Sequence, residues 1–382
     1  MRILFSLDNF DHGTGGAEMS ARALAWNLAE RGHQVEVLQR DRAVRTHMDG
    51  PVRVQSHPLP TPRLMKNADR DTLRWNAAWR RILEAHLAER PADLVVTQQR
   101  LLASSVDVAR ARDLPVVAFV RAYGMFCPNQ FRRRDPLRDC DLACRECFGW
   151  HQRLGRGAIR RNLEAYRRGL ERASLVIANS RYVQQVIRKL LGLEAAVVYP
   201  FTDLDRYRSD DGARDRVLFV KPQYVKGLPI AIEIARRMPD TRFLIAGKPR
   251  RRAQRAFGRL PNVELAGWVS DMRSIYARTR VLLGPSIWPE PFGRVFVEAG
   301  AAGIPSVGSA RGGIPEAIGD GGLLVEQIFE IDRWVEALRR LEDPHSYADH
   351  SAKARAHAQR FSLSQTAQDF IESVRSATGV AL

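Results

Sequence analysis

At 382 residues, with 45% apolar and 27% charged side chains, the chain is long enough for two hydrophobic cores and too apolar for a disordered protein. The net charge of +17, supplied almost wholly by arginine, favours anionic partners: sugar nucleotides, acidic lipid headgroups or nucleic acid. No apolar run reaches the roughly 18 residues that span a bilayer, the N-terminus meets Asp8 too early for a signal peptide, and no zinc-finger, basic-zipper or aromatic nucleic-acid pattern supports specific nucleic-acid binding. The expectation is a cytoplasmic protein, peripheral at the inner face of an anionic membrane.

Residues 1–7 read as a first strand, and 8–16 as a polar, glycine-rich loop. A helix follows, with Ala21, Leu24, Ala25 and Leu28 at i, i+3, i+4 and i+7 and Gly32 just past its end. Residues 33–38 form the second strand. Glycines between a first strand and a first helix suggest phosphate contact at Gly15 and Gly16; a tight turn that simply needs glycine is the alternative. A dinucleotide-binding dehydrogenase is disfavoured. The G-x-G-x-x-G pattern is absent, and the second strand ends Leu38-Gln39-Arg40 without the acid expected for a ribose. Residues 41–75 read as an irregular surface segment rich in proline and arginine, roughly 72–88 as a long amphipathic helix, and 91–96 and 114–120 as strands. Such strand–helix alternation indicates a parallel, doubly wound sheet.

The cysteines, Cys127, Cys140, Cys144 and Cys147, all fall in one segment with the spacing C-x12-C-x3-C-x2-C. Cytosolic thiols stay reduced, so clustering points toward metal. Four thiolates suit a closed tetrahedral zinc site, structural because no position is left open. Free thiols, a disulfide or an iron–sulfur cluster are the alternatives.

An arginine-rich helix over about 158–172 leads to a strand at 173–180 that ends in the helix-capping Ser180, and 195–199 is the last strand before a polar linker at 200–215. A second alternating region opens with the strand 216–220, the loop Lys221-Pro-Gln-Tyr-Val-Lys226-Gly227 and a helix over 228–237. Strands at 241–247 and 262–267 end in glycine. Loops after such strands commonly hold a nucleotide base, which makes Gly247, Trp268 and Val269 candidates for stacking and backbone contact; core packing is the alternative for Trp268. A final helix covers roughly 364–376.

The most informative stretch is Trp288-Pro-Glu-Pro-Phe-Gly-Arg-Val-Phe-Val-Glu298. Pro289 and Pro291 keep Glu290 on a loop, while Phe292-Gly293-Arg294 opens a buried helix that carries Glu298. Gly293 at the helix start lets a ligand approach backbone N–H groups that lack helical partners, which makes an anion site. Read alone, the pair is a turn residue and a solvated helical carboxylate. The flanks argue otherwise: strands at 281–286 and 303–308 and a glycine turn into a helix at Gly312-Gly-Ile-Pro-Glu316 give the order of a nucleotide-binding α/β domain.

Pro285-Ser286, Glu290-Pro-Phe-Gly293, Glu298-Ala299, Gly303-Ile-Pro305, Gly312-Gly-Ile-Pro-Glu316 and Gly321-Gly-Leu-Leu-Val325 together resemble the C-terminal lobe of retaining GT-B glycosyltransferases of family 4. The resemblance implies two Rossmann-like, doubly wound parallel-sheet domains facing across a cleft. It also implies transfer of a sugar from a nucleotide-diphosphate sugar to an acceptor hydroxyl, with no catalytic metal. Lys221 and Lys226-Gly227 stand where the family usually has Arg and Lys-Gly beside the donor diphosphate, a solvated surface lysine being the alternative for each. Glu290 would contact donor-sugar hydroxyls and Glu298 the ribose, with Phe292, Gly293 and Arg294 around the phosphate. Gly15-Gly16-Ala17-Glu18 resembles the family's Gly-Gly loop between donor diphosphate and acceptor, and Asp203 matches an aspartate at the interdomain crossing. Arg121-Ala122 departs from the family, which usually has His-Asp there. Arg121 could instead bind an anionic acceptor group through bidentate hydrogen bonds, with His12 and Tyr123 beside it.

The expected domains are 1–205 on the acceptor side, with a cysteine-rich insert at 127–147, then 206–361 for the nucleotide sugar, and a helix at 362–382 returning to the first domain. The expected role is synthesis of surface polysaccharide or another glycoconjugate on a carbohydrate or lipid-linked acceptor. A GT-B-fold sugar-nucleotide epimerase and a non-catalytic nucleotide-sugar-binding scaffold are the rivals.

Overall fold

The computed structural model describes residues 1–11, 15–60, 68–129, 156–207 and 213–382. They form two compact units, residues 1–201 with 363–382 and residues 202–362. The first unit alternates β1 (Arg2–Leu7), α1 (Gly16–Glu30), β2 (Gln34–Asp41), β3 (Arg45–Asp49), β4 (Val52–Pro58), α2 (Ala68–Glu89), β5 (Leu94–Gln98), α3 (Leu102–Arg110), β6 (Val116–Val120), α4 (Arg156–Arg172), β7 (Leu175–Ala178), α5 (Arg181–Leu191) and β8 (Ala196–Val197). Its sheet runs β3-β4-β2-β1-β5-β6-β7-β8, and only the β3–β4 pair is antiparallel. Strand alternation sends Ile3, Phe5 and Leu7 toward Leu24, Ala25 and Leu28 of α1, and sends Leu4 to the opposite face, where Trp75, Trp79 and Leu83 of α2 cover it. The apolar stripe read for the first helix is thus buried. Ser180 caps α5, its Oγ accepting from the Val183 N–H at 3.0 Å.

Residues 41–75 are not irregular throughout. β3 and β4 lie there as an edge hairpin, with Val52, Val54 and Ser56 buried on alternate positions and β3 left largely exposed. The short period-two pattern is hidden among arginines, and a two-sided edge carries a weak sequence signal.

The second unit runs β9 (Arg216–Val220), α6 (Leu228–Arg237), β10 (Arg242–Ala246), α7 (Arg251–Phe257), β11 (Val263–Gly267), α8 (Arg273–Tyr276), β12 (Thr279–Gly284), α9 (Arg294–Ala301), β13 (Ser306–Ser309), α10 (Ile314–Ile318), β14 (Gly322–Val325), α11 (Ile331–Arg340) and α12 (Pro344–Ala358). All six strands are parallel, in the order β11-β10-β9-β12-β13-β14. Phe219, Phe243, Leu283 and Trp334 share one core, and the Trp334 indole N–H is satisfied by the Ile328 carbonyl at 2.9 Å. The last helix, α13 (Leu363–Thr378), belongs to the first unit, where Phe370 stacks on Phe119 with centroids 5.9 Å apart.

Candidate functional site

Strand order reverses between β9 and β12 in the second unit, so their carboxyl ends flank the crevice where open α/β sheets bind ligands. The loop after β9 carries Lys221 and Lys226, and the loop after β12 carries Glu290. Lys226 Nζ lies 2.7 Å from Glu290 Oε2 and 5.2 Å from the centre of the Trp288 ring. The two loops are stitched together at the Val225 carbonyl, which accepts from the Ile287 and Trp288 N–H groups at 3.1 and 3.0 Å. Gly227 is left-handed, at φ 85°, and a Cβ there would fall 1.8 Å from the Pro285 carbonyl oxygen, so only glycine permits this approach. Lys221 is also left-handed, at φ 56°, a costly conformation for a side chain that a site can hold in place. Lys221 keeps solvent contact over much of its surface. Even so, desolvation, followed by the neighbouring Lys226 charge, lowers the pKa of its ammonium.

Glu298 sits on α9, 7% exposed. Its Oε1 meets Arg294 at 3.0 Å, and its Oε2 accepts from the Tyr276 hydroxyl at 3.0 Å. Tyr207 packs edge-on against Tyr276 at 5.8 Å. Burial, and then the Glu298 charge, pushes the Tyr207 phenol up to about 12 and the Tyr276 phenol well above its ordinary value, so both remain protonated donors. Gly293, left-handed at φ 104°, caps α9 without any side-chain hydrogen bond. Phe292 is buried edge-on against Phe361, and the Gly313 N–H donates to the Glu290 carbonyl at 2.7 Å. Gly247 follows β10, and its N–H donates to the Gly267 carbonyl at 2.6 Å. Trp268, just past β11, is 55% exposed and Val269 is half-buried, so Trp268 is not core packing.

In the first unit Gly15 caps α1 with no side-chain hydrogen bond, Gly16 begins the helix, and Glu18 lies in its first turn. Arg121 is buried; its Nη1 donates to Ser20 Oγ at 2.7 Å and its guanidinium lies 4.2 Å from the Phe119 ring centre. Tyr123 is fully buried, tilted against Phe126. His12, Cys140, Cys144 and Cys147 lie outside the described residues, while Cys127 is buried. Among the described residues no cluster of three or more His, Cys, Asp or Glu side chains could hold a metal ion, and no helix is long and apolar enough to cross a membrane.

The structure also shows residues that the sequence did not single out. Tyr207 and Tyr276 carry no motif and are found only through their approach to Glu298. Asp8, the first residue beyond β1, has its carboxyl raised to about 6 by burial, against the opposing Arg100 charge. Arg40 and Arg100 lie 4.6 and 5.3 Å from the Trp75 ring centre. Position at the carboxyl end of a strand was the available signal for Asp8, Arg40 and Arg100.

Two α/β units, each built on a mainly parallel sheet, define a GT-B architecture. Sucrose-phosphate synthase from Thermosynechococcus elongatus superimposes with a TM-score of 0.76 at 19% identity over 99% of each chain. HepE from Anabaena, solved with UDP, gives 0.70 at 22% identity over 98% of this chain and 100% of that one; the same protein has also been solved with UDP-glucose. Residues 14–206 match the model described as Glycosyltransferase Family 4, and residues 214–343 match that of glycosyl transferases group 1; the chain belongs to Glycosyltransferase Family 4. D-inositol 3-phosphate glycosyltransferase of Mycobacterium tuberculosis is 29% identical over 245 residues, 55% of this chain and 50% of that protein. The chain thus spans about half the length of the curated relatives it matches.

Proposed function

We propose that the protein transfers a sugar from a nucleotide-diphosphate sugar to an acceptor hydroxyl, with retention at the anomeric carbon. The observation that carries this reading is the pairing of Lys226 with Glu290 at 2.7 Å at the switch point of the second sheet, with Glu298 fixed by Arg294 and Tyr276 on the adjoining helix. Departure of the nucleoside diphosphate needs its developing charge stabilised where it forms. Lys226, Lys221 and the N–H groups at the start of α9 supply positive potential there. Glu290, left facing the sugar when Lys226 turns to phosphate, accepts from its hydroxyls, and Glu298 accepts from the ribose. Gly247, Trp268 and Val269 border the base. Gly15 and Gly16 let backbone approach the diphosphate, and Arg121, Glu18, His12 and Tyr123 serve the acceptor. The UDP and UDP-glucose held by HepE support a nucleotide-sugar donor.

The acceptor is a carbohydrate or a lipid-linked glycan in surface polysaccharide or glycoconjugate synthesis, met at an anionic membrane face that the net charge of +17 favours. The four cysteines bind one structural zinc ion; metal analysis should find one zinc per chain, and none in Cys144→Ser. The test of the donor site is a thermal-shift screen against UDP, GDP, ADP and dTDP and their sugars. One nucleotide should raise Tm, and Glu298→Ala should abolish the shift. No shift with any of them sinks the reading.

A further inference from the structure

We propose that the second unit holds a further binding site, at the end of its sheet away from the switch-point crevice, and that its ligand is a linear aliphatic polyamine. The site stands whether or not the crevice binds a nucleotide sugar.

A cavity of about 340 Å³ opens at the amino ends of β9, β10 and β12, within the size range of small-molecule sites. The five residues of β9 separate it, by roughly 16 Å at about 3.3 Å per residue, from the crevice at the carboxyl ends of the same strands. Val217, Met238, Val281, Leu338 and Leu341 form an apolar floor that is continuous with the core of this unit. Asp240 and Thr241 line it from the turn before β10, and Glu342 from the turn after α11. Both turns are held in place. Asn262 Nδ2 donates to the carbonyls of Ala235, Met238 and Thr241 at 3.0, 2.8 and 3.0 Å. Arg280 of β12 donates to the carbonyls of Leu341 and Glu342 at 3.1 and 3.4 Å. Because β9 runs between β10 and β12, the two turns belong to different walls of the cavity.

Among the described residues neither the Asp240 nor the Glu342 carboxylate has a hydrogen-bond or ion-pair partner. The other charges of the lining are already engaged. Arg242 pairs with Asp215 at 2.8 Å, and Arg280 directs its guanidinium to the two carbonyls and to the Tyr347 ring, 4.2 Å from its centre. The lining thus holds three carboxylates to two guanidinium groups, a local negative excess in a chain of net charge +17, and Arg339 and Arg340 of α11 do not line it. Such a lining disfavours an anion. A metal ion makes no use of an apolar floor, and a planar guanidinium ligand needs the carbonyl and ring contacts that Arg280 takes. An ammonium group has three donors and no acceptor, which suits a carboxylate beside the Thr241 hydroxyl. Its methylene stem covers the floor while the charged head stays at the wetter rim. Carboxylates on two walls call for an ammonium group at each end of the stem, which is a polyamine.

The test is isothermal titration calorimetry of the full chain with spermidine and putrescine, with magnesium chloride as a probe of charge alone and butanediol as a probe of the stem alone. Spermidine should bind the wild type with saturable heat, and neither single-feature probe should. Asp240→Asn combined with Glu342→Gln should weaken spermidine binding about tenfold or more. The double variant should keep the wild-type Tm, since both carboxylates are exposed and support nothing in the fold. Butylamine should bind more tightly than methylamine, because only the longer stem reaches the floor. The proposal falls if spermidine gives no saturable heat, or if the double variant binds it as well as the wild type does. It falls equally if magnesium displaces spermidine charge for charge, which would reduce the effect to an ionic atmosphere, or if butylamine gains nothing over methylamine. A failure of UDP to bind leaves these outcomes untouched and counts against the donor reading alone.

Discussion

Glu298 gives one oxygen to Arg294 and the other to the Tyr276 hydroxyl, so its plane is set before any ligand arrives. A carboxylate oxygen has two lone-pair sites, so each can take a second donor beside these partners, a ribose hydroxyl on the proposed donor reading. Tyr276→Phe removes a hydrogen bond to a charged group while keeping the ring that packs on Tyr207. On the proposed donor reading it should weaken UDP binding roughly tenfold by calorimetry with little loss of fold stability. Unchanged affinity would show that Arg294 alone orients the carboxylate. Two other carboxylates respond to pH in opposite senses. Burial tends to raise the Glu36 pKa, but hydrogen bonds from His86 and Arg90, with the Arg90 charge, more than reverse this and hold it at about 2. A depressed folded-state value contributes stability above the unfolded pKa, lost as pH falls from about 4.5 toward 2. Asp8, raised from 3.8 to about 6, does the reverse: the folded state binds its proton more tightly, so stability declines as pH rises through that window. Asp8→Asn should therefore raise Tm at pH 7.5 and have little effect at pH 3.5. Glu36→Gln should lower Tm at pH 7.5 and flatten the acid limb. Melting curves across pH decide both, and a fall in Tm for Asp8→Asn at pH 7.5 would refute the burial argument.

The C-terminal helix α13 shows an element whose worth lies far from its own sequence neighbourhood. Phe370 is fully buried, stacked on Phe119 and edge-on to Phe201 at 6.1 Å, so it closes the core of the first unit. Phe370→Ala should cost about 3–5 kcal/mol in chemical denaturation, because three rings lose their common contact. A loss under about 1 kcal/mol would mean that the site collapses and refills. This helix was legible because its apolar residues recur at helical spacing. The strands of both sheets were legible because their cores are continuous runs such as Val116-Val-Ala-Phe-Val120. The edge hairpin of β3 and β4 was not, since β3 buries little and Arg53 and Gln55 interrupt the apolar positions of β4. The residues of the second-unit crevice were legible for a different reason: proline and glycine fix the backbone at Pro289, Pro291, Gly227 and Gly293, and such positions show in a sequence whatever packs on them. Tyr276 and Asp240 were opaque. A tyrosine on a one-turn helix and an aspartate in a turn are ordinary until the fold brings them to Glu298 or to the wall of a cavity.

At the scale of the whole molecule the excess of positive charge is a property to be tested by salt. Helix α4 places Arg156, Arg160, Arg161, Arg167, Arg168 and Arg172 at the surface. Arg160 and Arg167 pair with Glu164 and Glu171, and Arg172 pairs with Asp107. Arg161 and Arg168, one seven-residue repeat apart on the same helical face, have no carboxylate partner among the described residues. Exposed ion pairs neutralise their own fields, so this pair of arginines carries the local potential outward. Each basic residue held near an anionic lipid surface contributes about 1 kcal/mol, and screening reduces that over a Debye length of about 8 Å at physiological salt. The protein should therefore sediment with phosphatidylglycerol vesicles in 50 mM salt and be released near 500 mM, while neutral phosphatidylcholine vesicles should retain little of it at either. Arg161→Gln with Arg168→Gln should lower the bound fraction several-fold at 150 mM salt and leave Tm within a degree or so, since neither side chain supports the core. Equal binding by the double variant would move the contact to another part of the basic surface. Equal binding to neutral vesicles would remove electrostatics as its cause.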